Sequence, residues 1–442
     1  MSTNTSSSLA GGQVSGHVGW VPPPRGRGTI NIIWSCLTVL LICSYKCLHL
    51  NIPHEDELEA GWHKLWGAIP YWPERPALRR LLRKVKWMAI IIIAPEFVAG
   101  VAAFELQQAR KDLADAKKLA PDFAKWSRER DELRRCGECW HNPPDSQPRN
   151  SELTLSHAFY ARMGGFVHVT LDNDESGGPR MKRARLESVE SYCRFLNQCA
   201  SEKRAVHLKS ESDIQGLVKS DHLTKVVAIA QALYLVLDCI ARTNQGLPIS
   251  PLELSTAAYV LAAAAMYGFW WHKPQDVAHV TQLCGGPEPS GTSCYKRAEL
   301  IVGDHAFSIV FGITSHLAPY VFHLIAATFG GVHVIAWRWD FGSDLVKTMW
   351  RVCAVATSAT PIFILCIILG ISRWHVDILD LSWITWIKSV AQACWIGTTV
   401  GLSVCYVFAR AIIIFLSFYT LFSMPVGAYQ TVAWTDYLPF IS

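Results

Sequence analysis

Hydrophobic residues run along this chain in long blocks, not in the short alternation of half-buried strands or the narrow stripe of a surface helix. About seven blocks approach or reach the twenty or so residues that cross hydrocarbon. They lie at roughly Thr29–Leu50, Trp87–Leu106, Leu223–Ala241, Glu253–Trp271, Ala306–Phe329, Met349–Ile371 and Val390–Ala409. A shorter block, Ala411–Phe422, follows Arg410 and reads as an interfacial helix or as part of an eighth span. Asn244-Gln245-Gly246-Leu247-Pro248 is turn chemistry, which predicts that the third and fourth spans form a tight antiparallel hairpin. Pro319 predicts a kink in the fifth span, and Pro361 lies inside the sixth. The pattern predicts an all-α fold: a polytopic transmembrane helix bundle of seven spans, or eight, with one sizeable loop region outside the membrane.

The polar stretches divide the rest. Residues 1–28 form a polar tail with no short apolar block at its start, so no cleavable signal peptide is expected and the first span serves as the targeting signal. Residues 29–106 hold two spans and a basic loop, 107–222 are the soluble region, 223–424 hold five or six spans, and 425–442 are a C-terminal tail. Within the soluble region, Gln107–Arg135 reads as a charged helix leaving the membrane, broken at Pro121. Residues 141–152 and 171–186 read as polar loops.

Charge adds an orientation. The 53–86 loop carries Lys64, Arg75, Arg79, Arg80, Arg83, Lys84 and Lys86, whereas the first 28 residues carry only Arg25 and Arg27. The positive-inside rule then places the loop in the cytosol and the N-terminus and 107–222 on the lumenal or extracellular side, of the endomembrane system or the plasma membrane. Cys136, Cys139, Cys193, Cys199, Cys284 and Cys294 all fall in loops on that side, where oxidation is permitted, so a disulfide set is expected.

Composition supports the class. Half of the 442 residues are apolar and 17% are charged, against about a quarter charged in soluble domains. The net charge of +5 is small for this length and gives no sign of a nucleic-acid binder. Eighteen Trp, eighteen Phe and thirteen Tyr suit the aromatic belts of a bilayer protein. The expected partners are the lipid bilayer and a lipophilic small molecule, with no nucleic acid. No cofactor is expected.

Few ionisable residues fall inside the apolar blocks, and those few are the candidate chemistry. Glu96 follows Ile90–Ile93 and Pro95 near the middle of the second span. An ionised carboxylate there costs about 2.5–3.5 kcal/mol, so it should face the bundle interior, either fastening helices or acting as a general acid or ion ligand. Asp238 has Arg242 four residues on, a spacing that predicts an ion pair on one helix face. Glu253 opens the fourth span as a favourable helix N-terminal charge. His316 and His323 share one face of the fifth span, where satisfied interior histidines or a proton relay are the alternatives. Two histidines are too few for a metal site, so no metal is expected. Cys136-Gly137-Glu138-Cys139 lacks the matching second pair of a zinc site and reads as structural.

Several stretches together resemble a large family of uncharacterised fungal multi-pass integral membrane proteins. They are Gly19-Trp20-Val21-Pro22 with Gly26-Arg27-Gly28-Thr29, then Asn31–Cys36, His157–Phe166, Gln245–Pro248, Trp270–Val277, Phe329–His333 and Tyr429–Trp434. The resemblance implies the fold class and brings no catalytic residues. The residues point first to a membrane-embedded enzyme of secondary metabolism acting on an isoprenoid-type substrate by acid-initiated cyclisation or isomerisation. Such chemistry needs a buried acid and aromatic faces for the cation that forms. Glu96 would be the acid, with Asp238, His316 or His323 as base. A transporter using the same groups, or a non-catalytic organiser or sensor, are the other readings.

Overall fold

A computed structural model describes residues 17–20, 27–53, 63–65, 69–71, 76–135, 153–173, 179–186, 188–201, 209–218, 222–277, 280–284, 292–293, 317–374 and 384–434. Its helices are α1 (Thr29–Cys47), α2 (Pro76–Ile93), α3 (Pro95–Arg135), α4 (Leu155–Arg162), α5 (Val189–Ser201), α6 (Glu211–Gly216), α7 (His222–Asn244), α8 (Pro251–Phe269), α9 (Ala318–Val334), α10 (Asp344–Trp374) and α11 (Ile384–Tyr419). Short strands are β1 (His17–Val18), β2 (His63–Leu65), β3 (Ile69–Tyr71), β4 (Phe166–Asn173), β5 (Pro179–Leu186), β6 (Thr281–Cys284), β7 (Thr292–Ser293) and β8 (Met424–Pro425). The chain divides into two compact units, one of Met1–Cys43, Val226–Ala262 and His323–Ser442, the other of Ser44–Lys225 and Ala263–Phe322.

In the first unit the hairpin between α7 and α8 forms as the turn residues predict. Gly246 takes a positive φ of 68°, the conformation that closes a helix cheaply only at glycine. Leu247 N–H then reaches back to Arg242 O at 2.8 Å. The next helix opens on a reciprocal cap, with Glu253 N–H donating to Ser250 Oγ (3.2 Å) and Ser250 N–H donating to Glu253 Oε2 (3.0 Å). Pro251 supplies the first helical position, where its missing N–H costs nothing. Farther along, α9 and α10 touch backbone to backbone, since a Cβ on Gly330 would lie 2.5 Å from the Thr357 carbonyl carbon. Small residues permit such an approach, the usual way helices gain contact in lipid. Trp350 is wholly buried among Phe341, Ala354, Ile413 and Leu416, and its indole N–H donates to His333 O at 3.0 Å.

The second unit contains a four-stranded sheet ordered β6-β4-β5-β7, with β6 parallel to β4 and the other pairs antiparallel. Phe166 stacks on Tyr192 at 3.9 Å and meets the edge of Tyr160 at 5.0 Å. Gly165 is required beside them, because a Cβ there would fall 2.5 Å from the Tyr160 ring. The stretch His157–Phe166 is therefore the core of this sheet-bearing part.

Among the described residues, six helices are long and apolar enough to cross a membrane, and a seventh span results if α2 and α3 are counted as one broken crossing. Several expectations change. The fold is mostly helical, not all-α: residues 171–186, expected as loop, contribute to β4 and β5. The Ala411–Phe422 block is no separate span, because α11 runs unbroken from Ile384 to Tyr419. The second span is not straight either. It turns by 110° at Ala94, where Pro95 lacks an N–H and crowds the residue before it out of helical geometry. α3 then continues as one helix through Pro121. Pro319 sits in the first turn of α9, so it starts that helix instead of kinking it.

Among the described residues there is no disulfide, and Cys193 is a free thiol. It is buried as a small hydrophobe, with its pKa pushed up to about 12 by that burial. Cys136, Cys139 and Cys294 lie outside the described residues, while Cys199 and Cys284 belong to α5 and β6.

Candidate functional site

The first unit holds a cavity of about 750 Å³, within the range of small-molecule sites. Two helices and the C-terminal segment build it. From α1 come Asn31, Trp34, Ser35, Thr38 and Val39; from α7 come Val227, Ala230, Gln231, Tyr234, Leu235, Asp238 and Arg242. Both sets follow three- and four-residue steps, so each is one helix face. Thr431, Val432 and Trp434 close it, and Arg27 and Glu253 complete its polar end. The outer side of α7 is strongly apolar, with Val226, Ile229, Leu233, Leu237 and Ile240 all more than half exposed. Such a face is at home against acyl chains and would be a liability in water.

The polar end is organised by two arginines. Arg27 pairs with Glu253 and donates to Ala428 O at 3.3 Å. Burial lowers the Arg27 pKa from its ordinary value, opposed chiefly by the charge of Asp238, while Glu253 is its ion-pair partner. Arg242, wholly buried, donates from Nε and Nη2 to Pro248 O (3.1 and 3.0 Å), from Nη1 to Gln430 O (2.9 Å), and from Nη2 to Gly427 O and Ala428 O (3.1 and 3.0 Å). This corrects the expected Asp238–Arg242 ion pair: a planar fork suits several carbonyl acceptors at once, and the tail offers them. Gln245 adds a reciprocal pair with the Ala433 backbone, at 3.1 and 3.2 Å. Tyr429 OH lies 3.2 Å from Thr29 Oγ1 and donates to Gly19 O at 3.1 Å. Four of the stretches that carry the family resemblance, around residues 19, 27, 245 and 429, thus meet here.

Asp238 lines the cavity without a hydrogen bond or ion pair to any described residue, acting on Arg27 and Arg242 only through space. Gln231 Oε1, two turns earlier on the same face, is buried and accepts no hydrogen bond among the described residues. Ser35 and Thr38 direct their hydroxyl hydrogens to Ile32 O and Trp34 O of their own helix, at 3.0 and 2.7 Å. The aromatic wall is Trp34, Tyr234 and Trp434, with the last two rings 6.0 Å apart.

The other expected site residues lie elsewhere. Glu96 belongs to the second unit and is buried in the first turn of α3, just past the Ala94 corner. A carboxylate there meets the positive end of the helix dipole. His323 is buried in α9 and is not among the residues lining the cavity. His316 lies outside the described residues. The better connected histidine is His333. Its Nδ1–H donates to Phe329 O (2.7 Å), and its Nε2 lies 3.1 Å from Ser255 Oγ, itself 2.8 Å from Ser417 Oγ. This chain of polar groups ties α8, α9 and α11 together.

The second unit has its own buried polar cluster. Lys273 Nζ and Trp270 Nε1 both donate to Glu105 Oε2, at 2.6 and 2.7 Å, and the Lys273–Glu105 pair is almost fully enclosed. Gln275 Nε2 donates to Lys46 O and Leu48 O. His49, 5.6 Å from the Trp270 ring, is held neutral: burial lowers its pKa to about 3.

Sequence reasoning had singled out Asp238 and missed its surroundings. The face Val227, Gln231, Tyr234, Asp238, Arg242 was readable as a helical stripe, but the segments that complete it come from the far ends of the chain.

A family model described as "Family of unknown function (DUF8562)" matches residues 3–290 and 313–441. No curated protein and no solved structure matches the chain.

Proposed function

The chain belongs to this family of unknown function, and we propose that this multi-pass, membrane-type helical protein takes a lipophilic small molecule from the bilayer into the cavity between α1 and α7. The observation that supports it is the cavity itself: apolar and aromatic along its walls, polar at one end, and bordered by a lipid-compatible face of α7. Within that reading the protein is an enzyme. Asp238 is the proton-transfer group, and Trp34, Tyr234 and Trp434 face the positive charge that develops when an alkene or epoxide of an isoprenoid is protonated. Asp238 thereby takes the place in the chemistry first assigned to Glu96. The test is incubation of purified protein in nanodiscs with prenyl alcohols and epoxides, followed by product analysis. A product formed by wild type and lost in Asp238→Asn supports the reading; a product lost only in Glu96→Gln returns the chemistry to the second unit.

One observation favours a second reading. Discontinuous helices with charged groups at the break are the usual build of transporter sites, and Glu96 sits at the 110° corner between α2 and α3. Proton-coupled flux in liposomes that falls in Glu96→Gln and persists in Asp238→Asn would favour transport. The proposed orientation puts residues 107–222 on the lumenal or extracellular side, which requires the α2–α3 pair to cross as one span. An introduced tag in that region that is reachable from the cytosol would show that the pair re-enters instead.

A further inference from the structure

We infer that the cavity of the first unit selects a lipophilic amine: a protonated amino head carried on a hydrocarbon body. The inference rests on the reading of this cavity as the ligand site, and goes beyond it by naming the chemistry of the head.

At the polar end the cations are engaged and the acceptors are open. Both guanidiniums are already engaged. Arg27 is neutralised by Glu253 and bonded to Ala428 O. Arg242 gives Nε, Nη1 and Nη2 to the carbonyls of Pro248, Gly427, Ala428 and Gln430. An anionic head would find neither cation available. The acceptors are in the opposite state. Asp238 has no hydrogen bond or ion pair among the described residues, and Gln231 Oε1 accepts none. Thr38, whose hydroxyl hydrogen serves α1, presents its oxygen to the cavity. A site whose acceptors are open and whose cations are closed is complementary to a donor.

Charge and the aromatic rings decide which donor. Arg27 and Arg242 act on the Asp238 carboxylate through space, but neither gives it a hydrogen bond, so its oxygens still accept. A neutral alcohol gives it one hydrogen bond and no charge, whereas an ammonium gives both. Tyr234 stands between Gln231 and Asp238 in sequence on the cavity face of α7, and its ring is 6.0 Å from that of Trp434. Trp34 faces the cavity from α1. Aromatic faces attract an ammonium or an alkylated amine and are indifferent to a hydroxyl. The same features would favour the carbocation of the proposed chemistry, so a lipophilic amine is also its natural competitor.

The experiment compares three ligands of equal tail, dodecylamine, dodecanol and dodecanoate, titrated at low concentration against the full-length protein in nanodiscs of zwitterionic lipid. Binding is read by calorimetry at near-neutral pH. The amine is expected to bind about tenfold or more tighter than the alcohol, and the carboxylate weakest. Asp238→Asn is expected to abolish that preference without shifting the thermal midpoint. Trp34→Leu is expected to weaken the amine more than the alcohol. Ala230→Trp, an exposed position on the cavity wall, fills the space without disturbing the core and serves as the location control. Equal binding of amine and alcohol, blocked by Ala230→Trp, would overturn the amine assignment and leave the cavity reading standing. Binding of none of the three, or binding that Ala230→Trp does not touch, would overturn the cavity reading itself.

Discussion

Both units bury charged side chains, and they do so in opposite ways. In the second unit, the Glu105 carboxylate meets Lys273 and the Trp270 indole at 2.6 and 2.7 Å, and Asp112 meets Arg162 at 2.6 Å. Arg185 donates to Ile52 O and Pro53 O, holding the segment after α1 against the sheet-bearing part. Those charges are consumed in holding the unit together. In the first unit the arginines are equally engaged, but Asp238 stands at a cavity wall without an ion pair among the described residues. Burial of charge therefore does not by itself mark a site. What marks it is charge that the fold has left without a partner next to space.

That contrast can be broken most forcefully at Glu105. Glu105→Gln leaves Lys273 enclosed without its counter-ion and is expected to cost about 3–5 kcal/mol, read by thermal or denaturant unfolding in nanodiscs. Glu105→Gln combined with Lys273→Met should recover much of the loss. A single-variant cost under about 1 kcal/mol would show that the pair is not structural.

A smaller effect sharpens the same point by pH. The folded protein keeps His49 neutral, with a pKa of about 3 against an ordinary 6.5. As pH falls below 6.5 the unfolded chain gains a proton that the folded chain refuses, so stability is lost on acidification. Between pH 7.5 and pH 5 the loss should be about 2 kcal/mol. His49→Gln should flatten the profile over that window, and an unchanged slope would assign the acid sensitivity to other groups. In the first unit, Gly330→Ala should cost about 1–3 kcal/mol by forcing α9 off the α10 backbone. Retention of the wild-type melting midpoint would argue that the helices do not touch there.

The smallest effect is the most informative. Asp238→Asn should alter stability by no more than about 0.5 kcal/mol, because no ion pair is lost. A large destabilisation would place Asp238 with Glu105, as structure.

What could be read from sequence follows the range of the interactions. The long apolar runs and the α7–α8 hairpin depend on neighbours along the chain, and they were legible. Pro95 stands beside Glu96 in the sequence, but the 110° corner it creates was not legible there. The β4–β5 hairpin was hidden because Arg180, Lys182, Arg183 and Arg185 made it look like a charged loop. Asp238 and Arg242 have the spacing of an ion pair, yet Arg242 prefers carbonyls some 185 residues away. Helical spacing carries no information about a competitor that distant in the chain. For the same reason Asp238 could be named from sequence, whereas its neighbours Arg27 and Trp434 could not.

The joining of residue 27 to residue 428 across 401 positions also sets a schedule for assembly. Arg27 meets Ala428, and Gly19 meets Tyr429, only after the intervening chain and that distant segment have been made. At about 5–20 residues per second, the first helix waits on the order of 20–80 s for that segment. Throughout that interval the Arg27 guanidinium is without its Ala428 acceptor and the cavity has only part of its wall. A nascent chain stalled before residue 424 would thus offer quality control an unfinished bundle with the segment around residue 19 undocked.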